Sequence, residues 1–361
     1  MITKTEKFID EYIQRFKTAK ENKWNYIDGC LVNAAVMMYQ VTEDIKYKNF
    51  VIRYYSDYID EQGNIKYYDI NEYNIDSINS GNGLFFAYDE TRDERYRAAI
   101  ELLQNQLRTH PRTREGNFWH KKIYPEQIWL DGLYMGQVFY MRYETEFGGK
   151  EHYTDILNQF RNVRKYLYNE DKGLYYHACD MSKKQNWADK ETGLSSNFWL
   201  RACGWYLMAL VDVMDVMDEA IYDMYRELGD LFREALKGIL RYRDGETGLF
   251  FQVVDHPEVK ENYIETSGSA MITYAIFKAC RMKIVLEEKY KEIARQMFDA
   301  ITELKVREVD GMLRIGDICK GAGLSDKRDG SIEYYLSEPV VYDDHKGAAP
   351  YIMAYAESLK L

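Results

Sequence analysis

The chain has 361 residues and a formal net charge of −11, from 48 Lys+Arg against 59 Asp+Glu, which argues against nucleic acid or an anionic membrane surface as a partner. Hydrophobic residues at 46% exclude a disordered chain, and the length is enough for a large core. The 33 Tyr join apolar bodies to polar tips, which suits a wide pocket for a polyhydroxylated ligand as well as an aromatic core.

The chain starts Met1-Ile2-Thr3-Lys4-Thr5-Glu6-Lys7, with no apolar secretory core, and passes directly into an amphipathic stretch. No stretch is long and apolar enough to span a membrane. The five cysteines (Cys30, Cys179, Cys203, Cys280 and Cys319) are scattered, without metal or disulfide spacing. A reducing, cytoplasmic setting is therefore expected.

Long stretches of 3.6-residue periodicity, with five Pro in the whole chain, predict an all-helical protein. A short doublet ending in Gly opens an apolar stretch six times: Asp28-Gly29, Ser80-Gly81, Asp131-Gly132, Cys203-Gly204, Ser267-Gly268 and Lys346-Gly347. Between them lie amphipathic stretches with charged faces: Thr5–Lys20, Ile45–Asp60, Asp93–Thr109, Glu151–Tyr168, Ala220–Tyr242 and Leu286–Leu304. Strict alternation of a buried and a half-exposed helix predicts a closed ring of six helical hairpins, an (α/α)6 barrel, as a single domain over residues 1–361. The doublet glycines permit close approach of backbone to backbone or to ligand.

A second signature follows the outer stretches. Gly63-Asn64-Ile65, Gly116-Asn117-Phe118, Gly173-Leu174-Tyr175, Gly248-Leu249-Phe250 and Gly311-Met312-Leu313 each start a short β-prone run. These loops lead into the inner helices, so they share one end of the barrel with the inner N-termini. That end is the expected active site, because amides and dipoles there attract anions. The segment 321–339 is expected to lie over the same mouth.

Candidate residues gather in those loops and first turns. Asp28 and Asp76 precede the first two inner helices, and Asp131, behind Trp129 and Leu130, opens the third. His120, Lys121 and Lys122 lie in the loop before Asp131, and His177 before the fourth inner helix. Arg201 and Trp205 share one face of that helix, at i and i+4. His345 precedes the last inner helix. Each has a plainer reading: the acids as caps, Arg201 in a structural ion pair, the histidines as loop residues, Trp205 as core. No metal-ligand spacing, phosphate loop, GxSxG elbow or dinucleotide fingerprint is present, so neither metal nor cofactor is expected.

Five runs in this order resemble glycoside hydrolase family 105, the unsaturated rhamnogalacturonyl hydrolases: residues 76–81 (DSINSG), 118–132 (FWHKKIYPEQIWLDG), 198–206 (FWLRACGWY), 265–270 (ETSGSA) and 333–339 (EYYLSEP). The resemblance implies an (α/α)6 barrel and an oligosaccharide substrate left by a pectin lyase. Its non-reducing sugar is a 4,5-unsaturated uronic acid, usually linked to rhamnose. It implies hydration of the double bond, with Asp131 as proton donor and Asp76 as second carboxylate. Arg201 or the His120–Lys122 cluster then holds the uronate, His177 bonds a hydroxyl or the carboxylate, and Trp205 stacks on the ring. The departures Leu200 and Cys203 are expected to alter the subsite beyond the cleaved sugar. Rival readings are a family 88 unsaturated glucuronyl hydrolase, a sugar epimerase or isomerase using His177 and His345, and a non-catalytic glycan binder.

Overall fold

Helices that are apolar all round must be enclosed, and this chain encloses six helical stretches with six amphipathic ones. The computed structural model describes residues 3–361. The chain runs from α1 (Lys4–Gln14) to α2 (Tyr26–Thr42), and from α3 (Ile45–Tyr58) to α4 and α5 (Asp76–Asn79 and Asn82–Thr91). It continues from α6 (Glu94–Thr109) to a π-helical turn (Leu133–Gln137) that α7 (Val138–Glu146) extends, and from α8 (Tyr153–Leu167) to α9 (Leu200–Val216). The last two hairpins are α10 (Tyr222–Ile239) with α11 (Thr266–Arg281), and α12 (Glu287–Leu304) through short α13 (Ile332–Ser337) with α14 (His345–Ser358).

The second member of each hairpin lies inside. Residues Thr266–Cys280 of α11 and Leu200–Met214 of α9 are buried without interruption. On α10 only a stripe is buried, including Leu228, Phe232, Ala235, Leu236 and Ile239, at helical spacing. Inner neighbours pack in ring order, α2 on α4 and α5, the π-helical turn and α7 on α9, α9 on α11, α11 on α14, and α14 back on α2. This is the (α/α)6 barrel that the doublets predict. None of the described helices is long and apolar enough to cross a membrane, and the five cysteines are buried and unpaired.

The doublet glycines mark where inner backbones touch. A Cβ on Gly29 would stand 2.7 Å from Ser80 Cα, and one on Gly268 would stand 3.1 Å from the Leu200 carbonyl carbon. The loop glycines Gly63, Gly116, Gly173, Gly248 and Gly311 form a second repeat, all with positive φ, from 64° to 97°. Four of them turn a bridge or hairpin: Ile59 with Ile65, Arg112 with Phe118, β2 (Tyr168–Asn169) with β3 (Leu174–Tyr175), and β5 (Val306–Val309) with β6 (Met312–Ile315). The run after Gly248 pairs further on, Phe251 with Ile264. Two more ladders cross between loops: β1 (Gln127–Trp129) with β4 (Ala178–Asp180), and β7 (Ile318–Cys319) with β8 (Val340–Val341).

Two features of the first hairpin differ from the sequence reading, and the other outer helices differ from it by a few residues at most. The first outer helix ends at Gln14 instead of Lys20, because the buried carboxylate of Asp28 accepts the Ala19 amide at 2.8 Å and draws residues 15–20 into a loop. The cap of α2 is Asn25, whose side chain accepts the Asp28 amide, so Asp28 sits inside the first turn.

Gly29→Ala is expected to lower unfolding stability by about 1–3 kcal/mol, the usual cost of overpacking against backbone that cannot move aside. Chemical denaturation against the parent protein measures it, and no loss would show that α2 and α4 separate freely.

Candidate active site

Backbone pairing assembles the floor of the barrel mouth. The ladder between β1 and β4 pairs Trp129 with Ala178, and the Leu130 amide donates to the His177 carbonyl at 2.9 Å. Asp131 and His177 therefore emerge side by side. A bridge between Asn74 and Lys121, with the Ile75 amide donating to the His120 carbonyl at 3.2 Å, sets Asp76 against His120 and Lys121. Asp131 leads into the π-helical turn, an irregularity frequent at functional sites.

Asp76, His120, Lys121 and Asp131 line a cavity of about 650 Å³, whose wall also includes residues 320–323, Arg328, Glu338 and Pro339; His177 is fully buried beside Asp131, behind that wall. The predicted segment 321–339 does lie over the mouth. A smaller cavity of about 370 Å³ elsewhere in the barrel is lined by Asp212, Asp215 and Lys278 and holds none of the predicted residues.

The two floor carboxylates have opposite environments. Burial raises Asp76, but the Lys121 ammonium at 2.7 Å and His120 at 3.4 Å outweigh it and hold the carboxyl below its ordinary value. Burial pushes Asp131 up to about 7; its own backbone amide is the main opposing influence, the charge of Asp76 adds to the rise, and Arg201 and Lys121 oppose it more weakly. Among the described residues, buried Asp131 Oδ2 has no hydrogen-bond partner; it stands 3.5 Å from His177 Nε2. Burial pushes His177 down to about 3 and His120 down to about 4, so both rings are neutral near pH 7. His120 lies flat on Trp129, at 4.7 Å and 3°.

Other predicted residues stand elsewhere. Arg201 is buried, with Nε donating to Ser267 at 2.8 Å, Nη2 donating to the Cys319 carbonyl, and Glu265 at 3.6 Å. It acts on the cavity through its field, felt at Asp131 and Tyr26. Trp205 is stacked on Tyr134 at 4.7 Å and meets Tyr26 edge-on, one layer below the cavity wall. The Lys122 ammonium is exposed and turned to the Asn71 carbonyl. Asp28 and His345 face each other at 3.7 Å behind the wall, where His345 also bonds Tyr12 and the Lys17 carbonyl. They brace the loop that carries Lys20, and His345 cannot join His177 as an acid–base pair. Trp129 is buried and has both His120 and Tyr124, at 5.2 Å, stacked against it, so little of its ring is left for a ligand. Leu200 packs on Gly268 and Cys203 Sγ points at the Tyr175 carbonyl, so the two departures sit in the barrel wall, away from the cavity.

The structure adds wall residues absent from the predicted site. Tyr26, Tyr124, Lys20, Lys320, Arg328, Asp344 and Lys346 all line the cavity. Asp344 holds the Lys346 ammonium at 2.8 Å. Lys346 belongs to the sixth doublet and Tyr26 opens the first inner helix, so the repeat pointed at both. Among the described residues no group of three or more His, Cys, Asp or Glu is arranged to hold a metal.

The model of Glycosyl Hydrolase Family 88 matches residues 2–361. A solved family 105 glycoside hydrolase from C. acetobutylicum ATCC 824 superposes with a TM-score of 0.94 at 40% identity, over 99% of this chain and 100% of that one. The chain is a glycoside hydrolase of this family 88/105 group. Protein Atu3128 of Agrobacterium fabrum is 39% identical over 235 residues, 63% of this chain and 99% of the relative. The unsaturated rhamnogalacturonyl hydrolase YesR of Bacillus subtilis is 25% identical over 313 residues, 85% of this chain and 82% of the relative.

For this hydrolase the raised Asp131 carboxyl carries a stability cost. Its folded value, about 7, lies above the ordinary carboxyl value of 3.8, so the folded protein holds the proton more tightly. Stability is then lost as pH rises from about 4 through 7. Asp131→Asn should be more stable than the parent at pH 8, by an amount on the order of a few kcal/mol, and not at pH 4. Urea denaturation at the two pH values reads this, and equal differences would show that Asp131 stays solvated.

Proposed function

We infer that the cavity takes an oligosaccharide whose non-reducing end is a 4,5-unsaturated uronic acid, usually linked to rhamnose, as left by a rhamnogalacturonan lyase. The observation that carries this reading is a single acid held near neutrality at the cavity floor, Asp131, while the other floor carboxylate is bound to Lys121. Ordinary glycoside hydrolysis pairs an acid with a free nucleophile or base. Here Asp76 is kept ionised and engaged, which suits it to hold the sugar or water.

Asp131 gives its proton to C4 of the alkene while water adds at C5, and the proton lost by that water returns to Asp131. The hemiketal at C5 opens to a ketone, and the hemiacetal left at C1 expels the next sugar. General acid catalysis works best with a pKa near the working pH, which burial and the Asp76 charge arrange. Of the predicted cations, Lys121 is the one on the cavity wall, and with Lys20 and Lys320 it supplies positive potential for the uronate. Arg201 adds to that potential from below. His177 presents its ring edge beside Asp131, and Tyr26 and Tyr124 form the aromatic wall. The YesR likeness favours a pectin fragment over other glycans. The acidic surface and the unpaired cysteines suit a cytoplasmic enzyme with no nucleic acid or membrane partner.

Turnover in D₂O is expected to place deuterium at C4, and turnover in ¹⁸O water to label the new C5 carbonyl when read before exchange. A saturated galacturonide of equal size should stay intact, and Asp131→Asn should lose at least ~10²-fold in kcat, the scale of a general acid. Cleavage of the saturated analogue with no deuterium at C4 would overturn the reading. Loss of activity toward rhamnose-linked substrates alone, with glucosamine-linked ones cleaved, would move it to the glycosaminoglycan fragments.

A further inference from the structure

Two buried polar atoms face each other beneath the cavity floor, and among the described residues neither has another partner: Asp131 Oδ2 and His177 Nε2, 3.5 Å apart. On the other side of the ring, Nδ1 lies 2.7 Å from the Tyr335 hydroxyl. Tyr335 comes from α13, in the segment that covers the mouth, and is fully buried.

The protons in this row can be counted. The buried His177 ring is neutral, so it carries one proton. Burial holds Tyr335 well above its ordinary ionisation, so it keeps its own. Among the described residues, its hydroxyl meets no acceptor besides His177 Nδ1. A buried O–H without an acceptor is costly, so Tyr335 donates to Nδ1. The ring proton must then sit on Nε2, aimed at Asp131 Oδ2. Trp129 and Trp199 press on the imidazole at 5.3 and 4.7 Å and hold its plane.

We propose that Tyr335 is a positioning residue that locks His177 as the Nε2–H tautomer, so that Asp131 always faces a hydrogen-bond donor. The proposal rests on Asp131 as the proton donor. Once Asp131 has given its proton to carbon, the new carboxylate meets the Nε2–H without any proton moving on His177. When water returns a proton, Asp131 is recharged and His177 is unchanged. The opposite tautomer would turn a lone pair toward Asp131, stabilise the protonated acid and slow its release. A donor favours the ionised form, so Tyr335 lowers the Asp131 pKa from what burial alone would set. Other charged or titratable groups that act on Asp131 are Asp76 from α4, Lys121 from the loop before β1, Tyr26 from α2, and Arg201 and Cys203 from α9; His120 acts on His177. None of them contacts Tyr335 Oη.

The test uses Tyr335→Phe and His177→Gln, in which the Gln amide donates to Asp131 whatever occupies position 335. Long-range ¹⁵N–¹H spectra of the substrate-free protein show which His177 nitrogen carries the proton, and ¹³C spectra follow the Asp131 carboxyl. Nε2–H is expected in the parent and a mixture with Nδ1–H in Tyr335→Phe. The Asp131 titration and the basic limb of kcat/KM should both move up by about half to one pH unit. On the His177→Gln background, adding Tyr335→Phe should move neither. Nδ1–H in the parent, or an unmoved Asp131 titration in folded Tyr335→Phe, would overturn the proposal. Equal shifts on both backgrounds would also overturn it, since they would show Tyr335 acting through packing. These spectra need no substrate, so they stand apart from whether unsaturated uronides are turned over.

Discussion

An acid that keeps its proton near neutral pH has to be dry, and the protein must bear the cost of keeping it dry once the proton leaves. Asp131 is set at the end of β1, where the barrel wall seals it from below and the covering segment 320–339 limits water above. The inner helices provide the seal because they are apolar on every side and need a second layer of helices to be stable. The two-layered ring therefore protects the chemistry as well as the core. Close backbone approaches at Gly29 and Gly268 draw the inner helices together near their N-termini.

Within the seal, neighbours separate two residues of the same type. Asp76 and Asp131 are both buried, yet Lys121 holds one ionised while the other rises. The ionised Asp76 then helps keep Asp131 protonated. Lys121 therefore acts on both acids: it neutralises most of Asp76 and slightly opposes the rise of Asp131. An acidic protein also gathers cations at this one place, with Lys20, Lys121, Lys320, Arg328 and Lys346 on the wall. With Asp131 protonated, these five cations exceed the wall acids Asp76, Glu338 and Asp344, a local excess that favours an anionic ligand.

Much of the fold was legible because it repeats. Six doublets and five loop glycines mark the inner helices and the turns before them, and no single window of sequence would have shown either. The floor was legible too, because Asp76, His120, Lys121, Asp131 and His177 lie in loops that all open at one end. Depth was not legible. Arg201 and Trp205 do share an inward face, but helical spacing gives direction and says nothing about a further layer, and Tyr26 supplies that layer. The pairing of Asp28 with His345 joins opposite ends of the chain, and a loop acid and a loop histidine look the same in sequence whether they face substrate or brace a wall. The loop made by residues 15–20 was read as helix because its capture by Asp28 is a tertiary contact.

The covering segment ties these levels together. It carries Lys320 and Arg328 at the rim, where a substrate arrives, and Tyr335 in the interior, against His177. Gln252 donates to the Tyr335 carbonyl, and Trp199 stacks on its ring, so α13 is anchored to the barrel wall from two directions. A segment held only at its ends would let the Tyr335 hydroxyl drift, and the row of protons to Asp131 would lose its order. Anchoring on inner elements holds that hydroxyl within hydrogen-bond reach of His177. The rim cations Lys320 and Arg328 and the buried Tyr335 are thus carried by one piece of chain.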